Sequence, residues 1–171
     1  EPVIESSRPR RPRQDTSSVG VHAEGLDDIM VRLSRCCTPV PPDGIIGFVT
    51  RGRGVSVHRA DCANAVSLAA DQVDRLIDVE WDEESAGYFV VSIVVKALDR
   101  PGLLRDVSGV LADHHVNVLA NSTSTSGSDR VATMRFDFEL GDPEHLESLL
   151  RMLRRIDSIY DVHRAVPGGG D

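Results

Sequence analysis

The sequence predicts an α+β fold in two small domains, the second of them a βαββαβ unit. Three observations predict it. Between Tyr88 and Val166, apolar alternation of period two is twice interrupted by stretches of helical spacing. Residues 19–82 carry shorter strand patterns, proline- and glycine-rich turns, and every cysteine of the chain. Between them, Asp82 to Gly87 is acidic and small, which suits a hinge. A length of 171 residues accommodates one ordinary domain or two small ones.

Residues 1–18 are polar and contain Arg8, Pro9, Arg10, Arg11, Pro12 and Arg13. Proline blocks helix and ladder hydrogen bonding, so this segment is a disordered linker, either a solvated tether or a phosphate-contacting arm. In residues 19–82, Val19–Ala23 predicts a short strand. Leu26, Ile29, Met30 and Leu33 predict a helix, with Asp27 and Asp28 in its first turn. Thr38–Gly44 is a loop, Ile45–Thr50 and Val55–His58 are strands about a glycine turn, Cys62–Ala70 is a helix, and Leu76–Trp81 is one last strand.

In residues 88–166, Val91, Ile93, Val95 and Ala97 alternate along a strand. Asp99 suits a helix cap and Pro101 a first turn, and Leu103, Leu104, Val107, Val110 and Leu111 fall on one helical face. Val116–Asn121 is a strand and Ser122–Asp129 a turn. Met134, Phe136, Phe138 and Leu140 alternate with Arg135, Asp137 and Glu139, which marks a strand with one wet face. Asp142 caps a helix lined by Leu146, Leu149, Leu150, Leu153 and Ile156, and Ser158–Val166 is the closing strand. The order is that of a ferredoxin-like fold. It puts both helices on one side of a sheet, so the other side invites a second copy or a partner. Residues 167–171 form a loose tail that suits a natural C-terminus, whereas residues 1–5 suit a cut inside a longer protein.

A net charge of −8 excludes a general electrostatic grip on nucleic acid. No apolar run approaches the ~20 residues of a membrane span, and the N-terminus has no signal-peptide pattern. Three cysteines, scarce and odd in number, suit a reducing cytoplasm, with thiols free or on a metal.

Three constellations carry chemistry. Cys36, Cys37, His58 and Cys62 supply the soft ligands of a tetrahedral zinc site, with His58 ending a strand and Cys62 opening a helix. Adjacent cysteines tend to diverge, so Asp61 stands by as an alternative ligand. Three free thiols beside a structural histidine, or a Cys/His nucleophilic pair, are the other readings. Arg51, Arg53, His58 and Arg59 form a local basic cluster about glycines, which is either an RNA contact or a solvated hairpin tip. Asp99, Gly102, Leu103 and Leu104 at a helix start, with Asn117 and Val118 on the next strand, describe either an amino-acid pocket or an ordinary capped helix. No His-Asp dipeptide, Walker-type loop or Gly-x-Ser-x-Gly elbow is present, so no catalytic centre is expected.

The run Arg35-Cys-Cys-Thr-Pro-Val-Pro-Pro-Asp-Gly-Ile-Ile-Gly-Phe-Val-Thr-Arg-Gly-Arg-Gly-Val-Ser-Val-His-Arg-Ala-Asp-Cys62 resembles the cysteine-containing, zinc-finger-like (RIS) module of long RelA/SpoT homologues. Asp99–Leu104 within the βαββαβ unit resembles their ACT domain. Arginine and alanine usage with almost no lysine suggests an actinobacterial member. The resemblance implies domains at 19–82 (RIS) and 88–166 (ACT). It implies a regulatory fragment whose parent makes and hydrolyses (p)ppGpp through catalytic domains N-terminal to it. It further implies zinc on Cys36, Cys37, His58 and Cys62, and ribosomal RNA contact through the RIS module, including Arg51, Arg53 and Arg59. In some members the ACT domain binds a branched-chain amino acid such as valine. The expected partners are the ribosome, the catalytic half and a second copy in a homodimer. The alternative is a purely structural dimerisation or autoinhibition module with no small-molecule ligand.

Overall fold

The computed structural model describes residues 20–23, 30–52, 54–82 and 88–165. In the first module β1 (Val21–Ala23) pairs antiparallel with β6 (Val79–Trp81). A four-stranded sheet has the order β2-β4-β3-β5, from β2 (Met30–Leu33), β3 (Ile45–Val49), β4 (Gly54–Arg59) and β5 (Leu76–Ile77). Helix α1 (Ala63–Asp71) follows β4 and is joined to β5 by a 3-10 turn at Val73–Arg75.

Two expectations fail here. Met30–Leu33 is a strand, not helix: it runs parallel to β4 in the register Met30↔Gly54 to Leu33↔Val57. Its apolar residues serve helix spacing and strand alternation alike, and β4 offered a ladder. Leu26 and Ile29 lie outside the described residues. Leu76–Trp81 is not one strand. It breaks at Asp78, and its halves serve different sheets, β5 on β3 and β6 on β1. Gly47 permits this crossing, since a Cβ there would stand 2.8 Å from Val79 Cγ1 and 2.9 Å from Ile77 Cγ2.

The second module is a fully antiparallel sheet of order β10-β7-β9-β8, from β7 (Phe89–Leu98), β8 (Asn117–Thr125), β9 (Val131–Leu140) and β10 (Ile159–Arg164). Helices α2 (Leu103–Asp113) and α3 (His145–Arg154) cover one side. The alternation works as expected. Val91, Ile93, Val95 and Ala97 of β7 are buried with Met134, Phe136, Phe138 and Leu140 of β9, against Leu103, Val107 and Leu111 of α2 and Leu146, Leu149, Leu150 and Leu153 of α3.

The second module departs from expectation in its details. Strand β8 continues through Ser122–Thr125, where a turn was expected, because its ladder with β9 runs on to Thr125↔Ala132. All nine of its residues are exposed, so serine and threonine carry no burial penalty there. Asp99 does not cap α2. Gly102, at φ 78°, holds the cap position with no side-chain bond, and the left-handed backbone favours glycine there. Leu104 is exposed rather than core. Asp142 does accept the Glu144 N–H, at 2.9 Å, as α3 begins.

The two modules share a core. Val40, in the loop between β2 and β3, is 1% exposed and sits in the second module's cluster with Phe89, Ile93 and Leu146, while Leu33 and Trp81 pack against the same cluster. Trp81 meets Phe89 edge to face, with ring centroids 6.0 Å apart.

Candidate metal centre and regulatory sites

The metal-ligand set converges. Cys36 and Cys37 lie in a turn after β2, His58 near the end of β4, and Cys62 immediately before α1. Adjacent residues point apart in a strand. Here they occupy a turn, and Thr38 just after them takes a positive φ of 44°, so both side chains reach one point. The imidazole Nδ1 lies 3.3 Å from Cys36 Sγ, 3.9 Å from Cys37 Sγ and 3.8 Å from Cys62 Sγ. Cys36 and Cys62 sulfurs are 3.6 Å apart, and all four donor atoms fall within 4.8 Å of one another. Tetrahedral zinc with Zn–S near 2.3 Å and Zn–N near 2.0–2.1 Å requires S···S edges of about 3.8 Å and S···N edges of about 3.6 Å. The donor set therefore fits zinc in element, number and spacing. Asp61 is not needed: its carboxylate pairs with Arg59 at 2.8 Å and faces solvent. The three thiols form no disulfide.

A second layer of contacts orients these ligands, and no spacing or residue pattern in the chain marks it. His58 Nε2 lies 3.2 Å from Ser56 Oγ, which leaves Nδ1 for the cluster. Phe48 packs edge to face on the imidazole. The backbone N–H of Arg59 donates to Cys37 Sγ at 3.2 Å, and Ser34 Oγ lies 3.0 Å from Cys36 Sγ. The protonation pattern follows from burial and these bonds. Burial pushes the Cys37 thiol up to about 12, against the Arg59 N–H. Burial also pushes the Cys36 thiol up, but hydrogen bonds from Ser34, Asn64, Cys62 and Cys37 outweigh it and lower its pKa. Burial lowers the His58 pKa, which keeps the imidazole in its neutral, ligating form. A thiol as reluctant to ionise as Cys37 becomes a thiolate when a divalent cation supplies the compensating charge.

The basic cluster disperses. Arg51 is exposed at the β3–β4 hairpin tip, whereas Arg59 lies opposite Ile45 at the other end of β4. Six extended residues separate these ends by about 17 Å. His58 is buried in the cysteine cluster, and Arg59 is half-buried and paired with Asp61. Arg53 lies outside the described residues.

At the second module's expected pocket, Gly102 is open, and an added Cβ would meet nothing nearer than the Arg105 guanidinium at 3.7 Å. Leu103 is buried, while Leu104 and Val118 are exposed. The Asn117 amide donates to Glu139 Oε2 at 3.0 Å across the β8–β9 ladder. Asp99 donates its backbone N–H to Arg130 O. A groove of about 570 Å³ opens beside this corner, lined by Arg100, Arg105, Asp106, Arg155 and Asp157 among others. Gly102, Asn117 and Val118 are not part of its lining.

The RelA/SpoT RIS domain model matches residues 21–82, and the ACT domain model matches residues 85–164. The chain belongs to the RelA/SpoT family. It is 52% identical over 167 residues to a GTP pyrophosphokinase of Streptomyces antibioticus, covering 98% of this chain and 19% of that protein. It is 53% identical over 159 residues to a bifunctional (p)ppGpp synthase/hydrolase RelA of Mycobacterium tuberculosis, covering 93% and 21%. The chain thus spans about a fifth of the length of these curated relatives, and what it contributes is a regulatory RIS–ACT region. The ACT domain from the GTP pyrophosphokinase of Chlorobium tepidum matches at 19% identity and a TM-score of 0.41, covering 46% of this chain and 99% of that one. The ferredoxin-like assignment stands on the strand order rather than on that likeness.

Proposed function

We propose that this chain is the sensing and docking region of a cytoplasmic (p)ppGpp synthetase/hydrolase, and that it acts on a catalytic half carried elsewhere in the parent protein. The observation that carries the proposal is the Cys36, Cys37, His58 and Cys62 cluster, whose donor atoms lie within 4.8 Å of one another inside a RIS domain. Zinc there holds together a module too small to stabilise itself by burial alone. The module then presents Arg51 and its hairpin tip to ribosomal RNA, where an exposed arginine can grip phosphate bidentately. The ACT domain takes a branched-chain amino acid such as valine beside Gly102, Leu103 and Leu104, with Val118 and Asn117 contributing from β8. Asn117 would exchange its Glu139 partner for the ligand. Binding biases the catalytic half only as far as valine prefers one arrangement of the ACT domain over the other.

The test has two arms. Metal analysis of the purified chain is expected to give one zinc per chain, and Cys62→Ser is expected to lose it. An amide NMR titration with valine, using lysine as the control, is expected to shift Gly102, Leu103, Leu104 and Asn117 saturably. Unchanged spectra at millimolar valine would remove the amino-acid reading and leave the zinc and RNA readings standing. One observation favours a second reading, a purely structural role. Strand β8 is an edge strand with all nine residues exposed, and such an edge pairs readily with a second copy. Sedimentation that shows a dimer indifferent to valine would favour that reading.

A further inference from the structure

The loop after the cysteine pair does two things within a few residues. Cys36 and Cys37 contribute to the metal cluster, and Thr38, the next residue, is already docked on the ACT domain. β10 ends at Arg164, and just beyond it the Ala165 N–H still donates to Ser92 O at 2.8 Å. The Ser92 N–H donates to Thr38 Oγ1 at 3.4 Å. The Thr38 carbonyl accepts from Arg164 Nη2 at 2.5 Å. Two residues on, Val40 fills the ACT core at 1% exposure. Asp43 closes the loop. Its carboxylate takes both oxygens to Arg164 Nη1, at 2.8 and 2.7 Å, and accepts the Val40 N–H at 2.8 Å, while its carbonyl accepts Trp81 Nε1–H at 2.9 Å.

We propose that metal binding at the cysteine cluster and seating of the Thr38–Asp43 loop in the ACT core are one linked equilibrium, with Arg164 as its positioning residue. The proposal rests on the reading that the cluster holds zinc. Its physical basis is covalent adjacency. Consecutive Cα atoms are about 3.8 Å apart across a rigid peptide, so Cys37 cannot be displaced without moving Thr38. Cys37 is itself held at its sulfur by the Arg59 N–H. A cation that fixes the Cys37 sulfur therefore fixes the origin of the loop, and a loop seated on Arg164 pre-places two of the four ligands. Such coupling is reciprocal, so a residue that never touches the metal must alter its affinity.

The test uses the whole chain with zinc, in two measurements. The first is zinc affinity by competition with a chromophoric chelator, for the native chain, Arg164→Ala, Arg164→Lys and Val40→Ala. We expect Arg164→Ala to bind zinc about fivefold or more weakly, with Arg164→Lys in between because a lysine cannot reproduce both the Asp43 and Thr38 contacts. The second needs no variant: zinc is removed by chelation while Trp81 emission and amide exchange at Ser92 and Ala165 are followed. We expect a red shift and faster exchange at Ser92. Trp81 is the one tryptophan of the chain and touches both Phe89 and the Asp43 carbonyl, so its emission responds to the seating of this loop. If the native chain takes up one zinc, and neither Arg164→Ala nor zinc removal changes these readings, the linkage is wrong while the zinc reading stands. If the native chain takes up no zinc, both fall together.

Discussion

Val40→Ala tests whether the RIS loop is a structural part of the ACT core. Val40 is 1% exposed and belongs to the core cluster that holds Phe89, Ile93 and Leu146. Truncation removes two buried carbons, which at about 0.8 kcal/mol each is about 1.6 kcal/mol. A residual void of roughly 40 Å³ at about 24 cal/mol per Å³ adds about 1 kcal/mol. The expected loss is therefore about 2.5 kcal/mol. With a urea m value of about 2 kcal/mol per M, the midpoint moves down by about 1.2 M. The assay is urea unfolding at saturating zinc, followed by far-UV circular dichroism and Trp81 emission. Val66→Ala, at a valine 58% exposed on α1, is the control and is expected to stay within about 0.5 kcal/mol of the native chain. A Val40→Ala loss no larger than that of the control would refute the packing argument. Non-coincident transitions in the two signals would refute the view that the modules unfold together.

The remaining predictions concern other parts of the molecule. Gly47→Ala places a Cβ 2.8 Å from Val79 Cγ1 and 2.9 Å from Ile77 Cγ2, both on strands. A cost of about 1–3 kcal/mol is expected in thermal melting, and an unchanged midpoint would mean that β5 and β6 do not cross β3 as described. Zinc affinity is expected to fall by more than about tenfold per unit drop in pH below neutrality, because binding displaces more than one thiol proton, including that of Cys37. A flat profile in the chelator competition would sink the cysteine ligation. At α2, the Arg100 guanidinium, with help from Arg105, holds the Asp106 carboxyl below its ordinary value. That contribution is in place above the ordinary carboxylate range and is lost as pH falls through the lowered value. Carboxyl NMR titration of Arg100→Gln is expected to move Asp106 back up, and an unmoved titration would mean that the pair is not formed in solution.

The ACT half was legible because burial enforces period. Phe136 and Phe138 must alternate with Arg135 and Asp137 if one side of the sheet meets helices and the other meets water. The leucines of α3 likewise fall on one stripe because only one face is covered. Legibility failed where tertiary partners chose between local options. Met30–Leu33 satisfied both periods and was decided by β4. Leu76–Trp81 carried no mark of the break at Asp78, because the break exists only to let two sheets share one segment. Ser122–Thr125 had turn composition, yet the β9 ladder extended through it. In the candidate site the ligand identities were readable from residue type and from the spacing of His58 and Cys62. What adjacency seemed to forbid at Cys36 and Cys37 was resolved by turn geometry, which no spacing rule encodes. Arg51 and Arg59 show the opposite error, since neighbours in sequence became opposite ends of a strand.

The loop from Thr38 to Asp43 contradicts the simplest division of the chain at the acidic hinge. By sequence, Val40 belongs to the RIS module; by packing, it belongs to the ACT core. The reason lies in how little core the RIS module has. Among the described residues, its own buried apolar side chains fall into two small clusters, Ala23, Val55, Val57 and Val79 in one, and Cys37, Phe48, Cys62 and Ala65 in the other. A unit of about 60 residues with so divided a core does not offset the entropy of ordering its chain unless something else holds it. The structure offers two such supports, a ligand set that fits zinc at one end of a short loop and a larger neighbouring core at the other. Three of the four candidate ligands belong to the second cluster, Cys37 and Cys62 among its buried residues and Cys36 packed against it, so the candidate metal site and that cluster are the same piece of structure. With zinc bound as proposed, metal and ACT domain would support the RIS module from the two ends of the six-residue Thr38–Asp43 loop, beside the packing of Leu33 and Trp81 on the same core, and a partner that pulls on the module would act against both supports together.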